Sequence, residues 1–318
     1  MRVLAPVTGR VDKVLSQALG YSRNQIEHLI DAGCVKVDGK EVKKGSFKVK
    51  EGQVIEYFFL EAQKEPKKEV DFDIETLYED EDILIINKPP NLVVHPAPSV
   101  KEPTVVDWLI KKGVSLSTIY GKERFGIVHR IDKDTTGALL IAKNNQAHLE
   151  VSKELQTKKM GRYYIAVINY PLKENITIQK PIARNPKNRL KMAVVEGGKE
   201  AKTDLLKIAQ NESNFELIGA RLHTGRTHQI RVHLNSINRV ILGDKLYGYK
   251  KEDPKRVFLH ARVLYLTHPR TKKELRVEAP LFEDMEQFLD KNFDRRSLND
   301  KISKESLHSS FIEHFGSL

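Results

Sequence analysis

Cysteine is nearly missing: the 318 residues contain one, Cys34. A single thiol forms no intramolecular disulfide and excludes every cysteine-rich zinc site. Long apolar runs are missing as well. Ala138-Leu139-Leu140-Ile141-Ala142 is among the longest, whereas a membrane helix needs about 18 such residues in a row. Residues 1–10 carry no apolar stretch of signal-peptide length. These absences predict a soluble, cytoplasmic protein without a membrane segment. There is also no P-loop, no dinucleotide G-x-G-x-x-G, no G-x-S-x-G elbow and no H-x-E paired with C-x-x-C. ATP, NAD, serine hydrolysis and zinc deamination are all disfavoured. What is present is positive charge: 54 Lys+Arg against 43 Asp+Glu, a net +11. Such an excess favours a polyanionic partner, RNA or DNA first, although many basic proteins bind nothing anionic specifically. The hydrophobic fraction of 40% is enough for a core, and the length suits one large domain or two.

Along the chain, Val14, Leu15, Ala18 and Leu19 recur at helical spacing. Ser22 offers an N-cap for a second helix with Ile26, Leu29 and Ile30, and Gly33 lies just past its end. Val35-Lys36-Val37 alternates, Asp38-Gly39 signals a hairpin, Val42 starts the return, and Val54–Tyr57 closes a small sheet. The Lys- and Glu-rich stretch 61–70 reads as a linker. From Val70 onward strands dominate: Ile83–Ile86, Ala138–Ala142, Tyr164–Ile168, Ala201–Ile208, Phe215–Leu222, Gln229–His233 and Arg262–Tyr265. Helices fall at Val105–Lys111 and after Asn144, without regular alternation, so the expected class is α+β. Residues 290–318, with five basic and five acidic residues, read as a helix or a frayed tail. The expected division is 1–60, linker 61–70, 71–289 and 290–318.

Three polar clusters could carry chemistry. Gly126 through Gly137 packs His129, Arg130, Asp132, Lys133, Asp134 and two threonines ahead of an apolar strand. Loops on a rigid sheet are where catalytic groups concentrate, but Asp132 or Asp134 could equally build a plain polar turn. Leu222 through His233 holds His223, Arg226, His228, Arg231 and His233 and no acid. Read as a strand from Gln229, it puts Gln229, Arg231 and His233 on one face, from which a guanidinium could hold a carboxylate. The five-residue histidine spacing fits neither a helical nor a strand metal site, so no metal is expected. Arg184 to Lys202 gathers Arg184, Lys187, Arg189, Lys191, Lys199 and Lys202 around Gly197-Gly198. That is either a phosphate-gripping arm or a solvated face.

The stretch His129-Arg130-Ile131-Asp132-Lys133-Asp134-Thr135-Thr136-Gly137 resembles the signature loop of the RluA-type pseudouridine synthases. Tyr164-Ile165-Ala166-Val167, Arg189–Met192, Thr224–His233, Gly243–Gly248, Leu259-His260-Ala261 and His268-Pro269 resemble the same family in the same order. The likeness covers roughly residues 72 to 285. Residues 10–57 resemble the S4 RNA-binding module, with Asp12-Lys13, Ser22-Arg23 and Ile30–Val35 at its characteristic places. Together with Val94-His95-Pro96, the pairing is most similar to the ribosomal large-subunit members. The Asp-Lys-Asp-Thr-Thr-Gly wording leans toward those acting on the helix 69 stem-loop of 23S rRNA.

The resemblance implies a mixed, largely antiparallel sheet with a central RNA-binding cleft behind a small helix–helix–β module. It implies isomerisation of uridine to pseudouridine in large-subunit rRNA by base flipping, with no cofactor. The partner implied is rRNA or a pre-50S particle, and a monomer is the default. It places the essential carboxylate at Asp132, its arginine partner at Arg231 and the active-site tyrosine at Tyr164. Arg130 matches the residue that fills the gap left by the flipped base, and Leu259 the apolar group against the uracil. RNA contacts are expected from His129, Lys133, Arg226, His228, Arg189, Lys191 and, in the first module, Arg23. Arg162 departs from the family, where lysine is frequent, and Asn169-Tyr170 stands where glycine is usual. A non-catalytic rRNA-binding or ribosome-assembly factor, a synthase for another rRNA or tRNA site, and a nucleoside glycosidase remain open as rivals.

Overall fold

The computed structural model describes residues 1–59, 68–119, 125–251 and 253–317. Most of the expected linker, residues 61–67, lies outside the described residues.

The N-terminal part builds its own core. Helices Val11–Leu19 and Arg23–Asp31 pack over a small sheet of Arg2–Leu4, Val54–Tyr57, Val35–Val37 and Lys40–Glu41. Ser22 caps the second helix through a full capping box with Gln25. Asp38 and Gly39 both take positive φ, 47° and 79°, the geometry that a tight two-residue hairpin needs. The return strand therefore starts at Lys40, two residues before the predicted Val42. Val14, Leu15, Ile26, Leu29, Ile30, Cys34, Val35 and Ile55 close one apolar cluster with partners drawn from this part of the chain.

Residues from Thr76 onward form a ten-stranded sheet. Its order along the main path is Ile176–Gln179, Lys202–Gln210, Phe215–Leu222, Gly161–Asn169, Leu259–Thr267, Thr136–Ala142, Ile83–Lys88 and Thr76–Glu79. Every described pairing is antiparallel except that of Leu259–Thr267 with Thr136–Ala142. The class is thus α+β with a mixed, largely antiparallel sheet, as predicted. The parallel junction matters for function, because the Asp132 loop enters the sheet there: Thr136 pairs with His260 and Gly137 with Ala261. Gly137 has φ +106°, and a Cβ on it would meet the Ala261 carbonyl oxygen at 2.4 Å. We predict that Gly137→Ala destabilises the fold by about 2 kcal/mol through backbone strain alone, read as a lower urea midpoint. An unchanged midpoint would show that the junction can shift.

The predicted strand Gln229–His233 is corrected: Gln229–Asn235 is an α-helix. The segment is buried from Gln229 to Leu234, so hydrophobic alternation carries no face information, and a short apolar run does not separate strand from helix. His228, at φ 57°, breaks the extended chain just before it. The Gln229 side-chain oxygen accepts from the Arg226 N–H at 3.0 Å and from the Thr224 hydroxyl at 2.7 Å, tightening the entry. Helical spacing then changes the faces. Gln229 and His233, four apart, both bond the Thr203 hydroxyl at 2.9 and 2.8 Å, while Arg231 points elsewhere.

Residues 295–315 are not frayed. Helices Arg295–Lys301 and Lys304–Phe315 bury Leu298, Ile302, Leu307 and Phe311 against the sheet. Phe311 stacks on Tyr163 with centroids 4.9 Å apart and planes 6° off parallel. Helix Glu283–Asn292 runs across the expected boundary at 289/290.

Candidate active site

The signature loop reaches its place because it is held from below. Lys88, at the end of a fully buried strand, donates to the carbonyls of Pro89, Leu92 and Lys133 at 2.7, 2.9 and 2.9 Å. Burial pulls the Lys88 ammonium down to about 7, against the field of Asp134 and Asp132. Fixing the Lys133 carbonyl fixes the residue beside Asp132.

Asp132 opens onto a surface pocket that it shares with His228 and Arg231. Its Oδ2 accepts from Arg231 Nη1 at 3.1 Å, and His228 Nε2 lies 3.9 Å away. Arg231 is shared. Its Nε and Nη2 grip both oxygens of Asp244 at 2.8 Å each, a bidentate clamp that sets the plane of the guanidinium. Its carbon sits 5.0 Å from the centre of the Tyr247 ring. Burial opposes the Arg231 charge, but the Asp244 hydrogen bonds and the two carboxylates outweigh it and raise its pKa. The cation beside Asp132 is therefore permanent. The His228 ring, bonded to the Tyr247 hydroxyl at 3.0 Å, is pushed below its usual range by burial, with Asp132 opposing. It is mostly neutral at pH 7.

Tyr164 lines the same pocket from the central strand, 4% exposed, and burial raises its hydroxyl above the usual value. Leu259, Arg130, Arg226 and Arg162 line it too. Arg130 and Arg226 are exposed at the mouth, with Arg226 Nε anchored on the Glu200 carbonyl at 2.9 Å. The structure thus brings Asp132, Tyr164, Arg231, Leu259, Arg130, Arg226 and His228 around one cavity.

The other expected residues lie apart. His129 is buried; its Nε2 accepts from the Leu140 N–H at 3.1 Å, and burial holds the ring well below its usual range. It faces the sheet backbone rather than the cavity. The Lys133 side chain is exposed outside the pocket lining. Arg189 and Lys191 sit on the arm between strands Ile182–Arg184 and Met192–Val194, with Leu190 77% exposed beside them. The foot of this arm touches the site, since the Met192 N–H donates to the Tyr247 hydroxyl at 2.9 Å. Arg23, in the N-terminal module, pairs with the buried Asp12 at 2.6 Å. Sequence reasoning missed the roles of Lys88, Asp244, Tyr247 and Arg162; the advance signals were that Asp244 and Tyr247 stand in one of the family-like segments and that Arg162 stands where the family frequently carries lysine. Among the described residues one cluster has metal-like spacing, Asp80, Asp82 and His268. Its groups are bonded to Tyr78, Arg270 and Asn144.

Buried histidines give the fold a pH dependence. His260 accepts at Nδ1 from the Thr136 hydroxyl and donates from Nε2 to the Ala279 carbonyl, at 2.8 and 3.1 Å. Burial holds His260 and His148 down to about 3. The unfolded chain protonates both near pH 6.5 while the folded protein does not. Stability is complete above that pH and falls as pH drops from about 6.5 toward 3, by up to about 1.4 kcal/mol per unit and ring. Urea unfolding at pH 7 and 5 should show the loss; equal midpoints would mean that the rings are charged in the folded state.

Comparison with known proteins agrees with this architecture. The RNA pseudouridylate synthase family profile matches residues 82–236, and the S4 domain profile matches residues 9–55. A Helicobacter pylori protein called an uncharacterized RNA pseudouridine synthase is 47% identical over 313 residues, covering 95% of this chain and 96% of its own. The ribosomal large subunit pseudouridine synthase D of Nitrosomonas europaea is 36% identical over 291 residues, 88% and 83% of the two chains. The structure of human RNA pseudouridylate synthase domain containing 1 superimposes with a TM-score of 0.54 at 20% identity, over 71% of this chain and 96% of the human one. That likeness concerns the fold. The protein is an S4-containing, RNA-modifying isomerase. The chain belongs to the RNA pseudouridine synthase family.

Proposed function

We propose that this enzyme converts uridine to pseudouridine in large-subunit ribosomal RNA, at the helix 69 stem-loop, with Asp132 as the acting carboxylate. The observation that carries the reading is the Asp132–Arg231–Asp244 relay inside an open pocket: one guanidinium holds one carboxylate toward the cavity and is itself held by another at 2.8 Å. The rRNA assignment leans on relatives named for the large subunit. In this reading the uridine is flipped out of its helix into the pocket. Arg130, exposed at the mouth, takes the vacated place in the stack, and Arg226 meets the backbone. Leu259 packs against the uracil. Tyr164 stays protonated, stacks on the base and relays a proton. Asp132, held in place by Arg231 Nη1 at 3.1 Å, attacks the ribose or removes its proton. The bond from C1′ to N1 breaks and one from C1′ to C5 forms. Atoms and electrons are conserved, so the isomerisation calls for no cofactor. The S4 module, residues 1–60, serves as the RNA anchor ahead of a catalytic part at 71–289, and the enzyme works on rRNA or a pre-50S particle as a monomer.

The test is a map of pseudouridines in a strain lacking the gene, complemented by the wild type or by Asp132→Asn. Helix 69 sites should vanish and return only with the wild type. Loss at another rRNA or a tRNA position would move the substrate. Growth rescue by the Asp132→Asn protein would favour a binding role.

A further inference from the structure

Four arginines are buried among the described residues: Arg162, Arg221, Arg231 and Arg256. Three of them hold carboxylates: Arg221 pairs with Asp204, Arg231 with Asp132 and Asp244, and Arg256 with Asp284. Arg162 is the exception. It is 7% exposed, its Nε and Nη1 have no hydrogen-bond partner, and among the described residues no ion pair includes it. A buried cation without acceptors is expensive for a protein. Its placement indicates what the cost serves. Arg162 lines the pocket with Asp132 and Tyr164, and its guanidinium carbon lies 6.0 Å from the Tyr164 ring centre. It stands two residues from Tyr164 on the central strand, on the same face of the sheet. Its charge is felt by the buried rings of His129, Tyr164 and Tyr265. None of these supplies an anion in the folded protein.

Nη2, which is not enclosed as Nε and Nη1 are, is the nitrogen open to an acceptor that arrives with the substrate. Two kinds of oxygen come with a flipped uridine: those of its phosphates and the carbonyls of its base. Phosphates remain near the mouth, where Arg130 and Arg226 are exposed. The floor, with Tyr164 and Leu259 at 4% exposure each, meets the base. We propose that Arg162 is a catalytic residue that donates to a uracil carbonyl oxygen and stabilises the negative charge on the ring while it is detached from ribose. This rests on the reading that the pocket takes uridine beside Asp132. When the N1–C1′ bond breaks, its electron pair stays with N1 and spreads to O2 and O4. The C5–C1′ bond then forms, C5 loses a proton to the pocket's base, and N1 gains one, so the sum is zero. Arg162 keeps its proton throughout. A fixed donor aimed at developing charge in a water-poor site is an effective form of electrostatic catalysis.

The experiment compares wild type, Arg162→Met and Arg162→Lys on an unmodified transcript of large-subunit rRNA. It measures single-turnover pseudouridine formation at saturating enzyme, RNA affinity at several salt concentrations, and thermal unfolding without RNA. Arg162→Met should lower the rate about 10²–10³-fold, the loss seen for one such donor. RNA affinity should stay within about twofold with an unchanged salt slope. The unfolding temperature should hold or rise, because an unpaired buried charge is gone. Arg162→Lys should recover a good part of the rate. A wild-type rate in Arg162→Met overturns the proposal. So does a salt slope smaller by about one, the mark of a lost phosphate contact, or a lower unfolding temperature with the rate intact, the mark of a structural prop. If the wild type is silent on this transcript, the substrate reading fails instead; the same variants are then compared on bulk RNA from the deletion strain, where the family activity registers on any target and the same outcomes decide.

Discussion

Asp132→Asn should leave an enzyme that binds RNA within about twofold of wild type and forms pseudouridine at least about 10³-fold more slowly, the upper part of what one acid–base group contributes. Asparagine has the same shape, and its oxygen can still accept the Arg231 hydrogen bond that Asp132 Oδ2 accepts at 3.1 Å. The substitution therefore removes charge and leaves position. Affinity should persist because the exposed cations at the mouth, Arg130 and Arg226, are untouched, and phosphate contacts dominate binding. A filter-binding curve with a rate assay on one transcript separates the two quantities. A near-normal rate would remove Asp132 from the chemistry.

Arg231→Lys should be nearly as damaging for a different reason. Three nitrogens of Arg231 serve two carboxylates: Nε and Nη2 hold Asp244, and Nη1 holds Asp132. An ammonium is a point charge and cannot span both carboxylates with a rigid fork. One acid is then left buried and unpaired, and Asp244 is 1% exposed. Breaking a buried pair in this way costs about 3–5 kcal/mol of stability, and the rate should fall about 10²-fold or more as Asp132 loses its orientation. Urea unfolding and product formation read the two losses. Asp132→Asn with Arg231→Met should cost little more activity than Asp132→Asn alone, because residues acting as a unit are not additive. Multiplying losses would mean that the two act separately.

Much of this site was legible in the chain, and the failures have physical causes. The order of apolar strands and punctuating residues marked Phe215–Leu222, Val105–Lys111 and Val54–Tyr57 at their observed bounds. The polar loop ahead of Thr136–Ala142 stood out because an apolar strand followed it. Gln229–Asn235 misled because it is buried on every side, which erases the polar face that distinguishes periods of two and 3.6. His129 misled because a polar residue inside a polar loop gives no sign that it turns inward onto a backbone N–H. Lys88 and Asp244 act through partners distant in sequence, such as the Lys133 carbonyl and the Arg231 side chain. Such contacts exist only once the sheet has closed. The tail disguised itself by balanced charge, while its four buried apolar positions, Leu298, Ile302, Leu307 and Phe311, lie among polar neighbours.

The Phe311–Tyr163 stack sets a constraint on folding order. Tyr163 precedes the pocket tyrosine by one residue, and its hydroxyl meets His308, 145 positions later, at 2.9 Å. The central strand cannot acquire its cover until that much chain has been made and has returned. Contacts this distant in sequence slow folding and leave apolar surface waiting in solvent. A nascent chain holding the complete signature loop but lacking the Lys304–Phe315 helix would thus have its chemistry assembled over a half-open core. Such a species would expose the apolar surface that makes folding intermediates prone to aggregate.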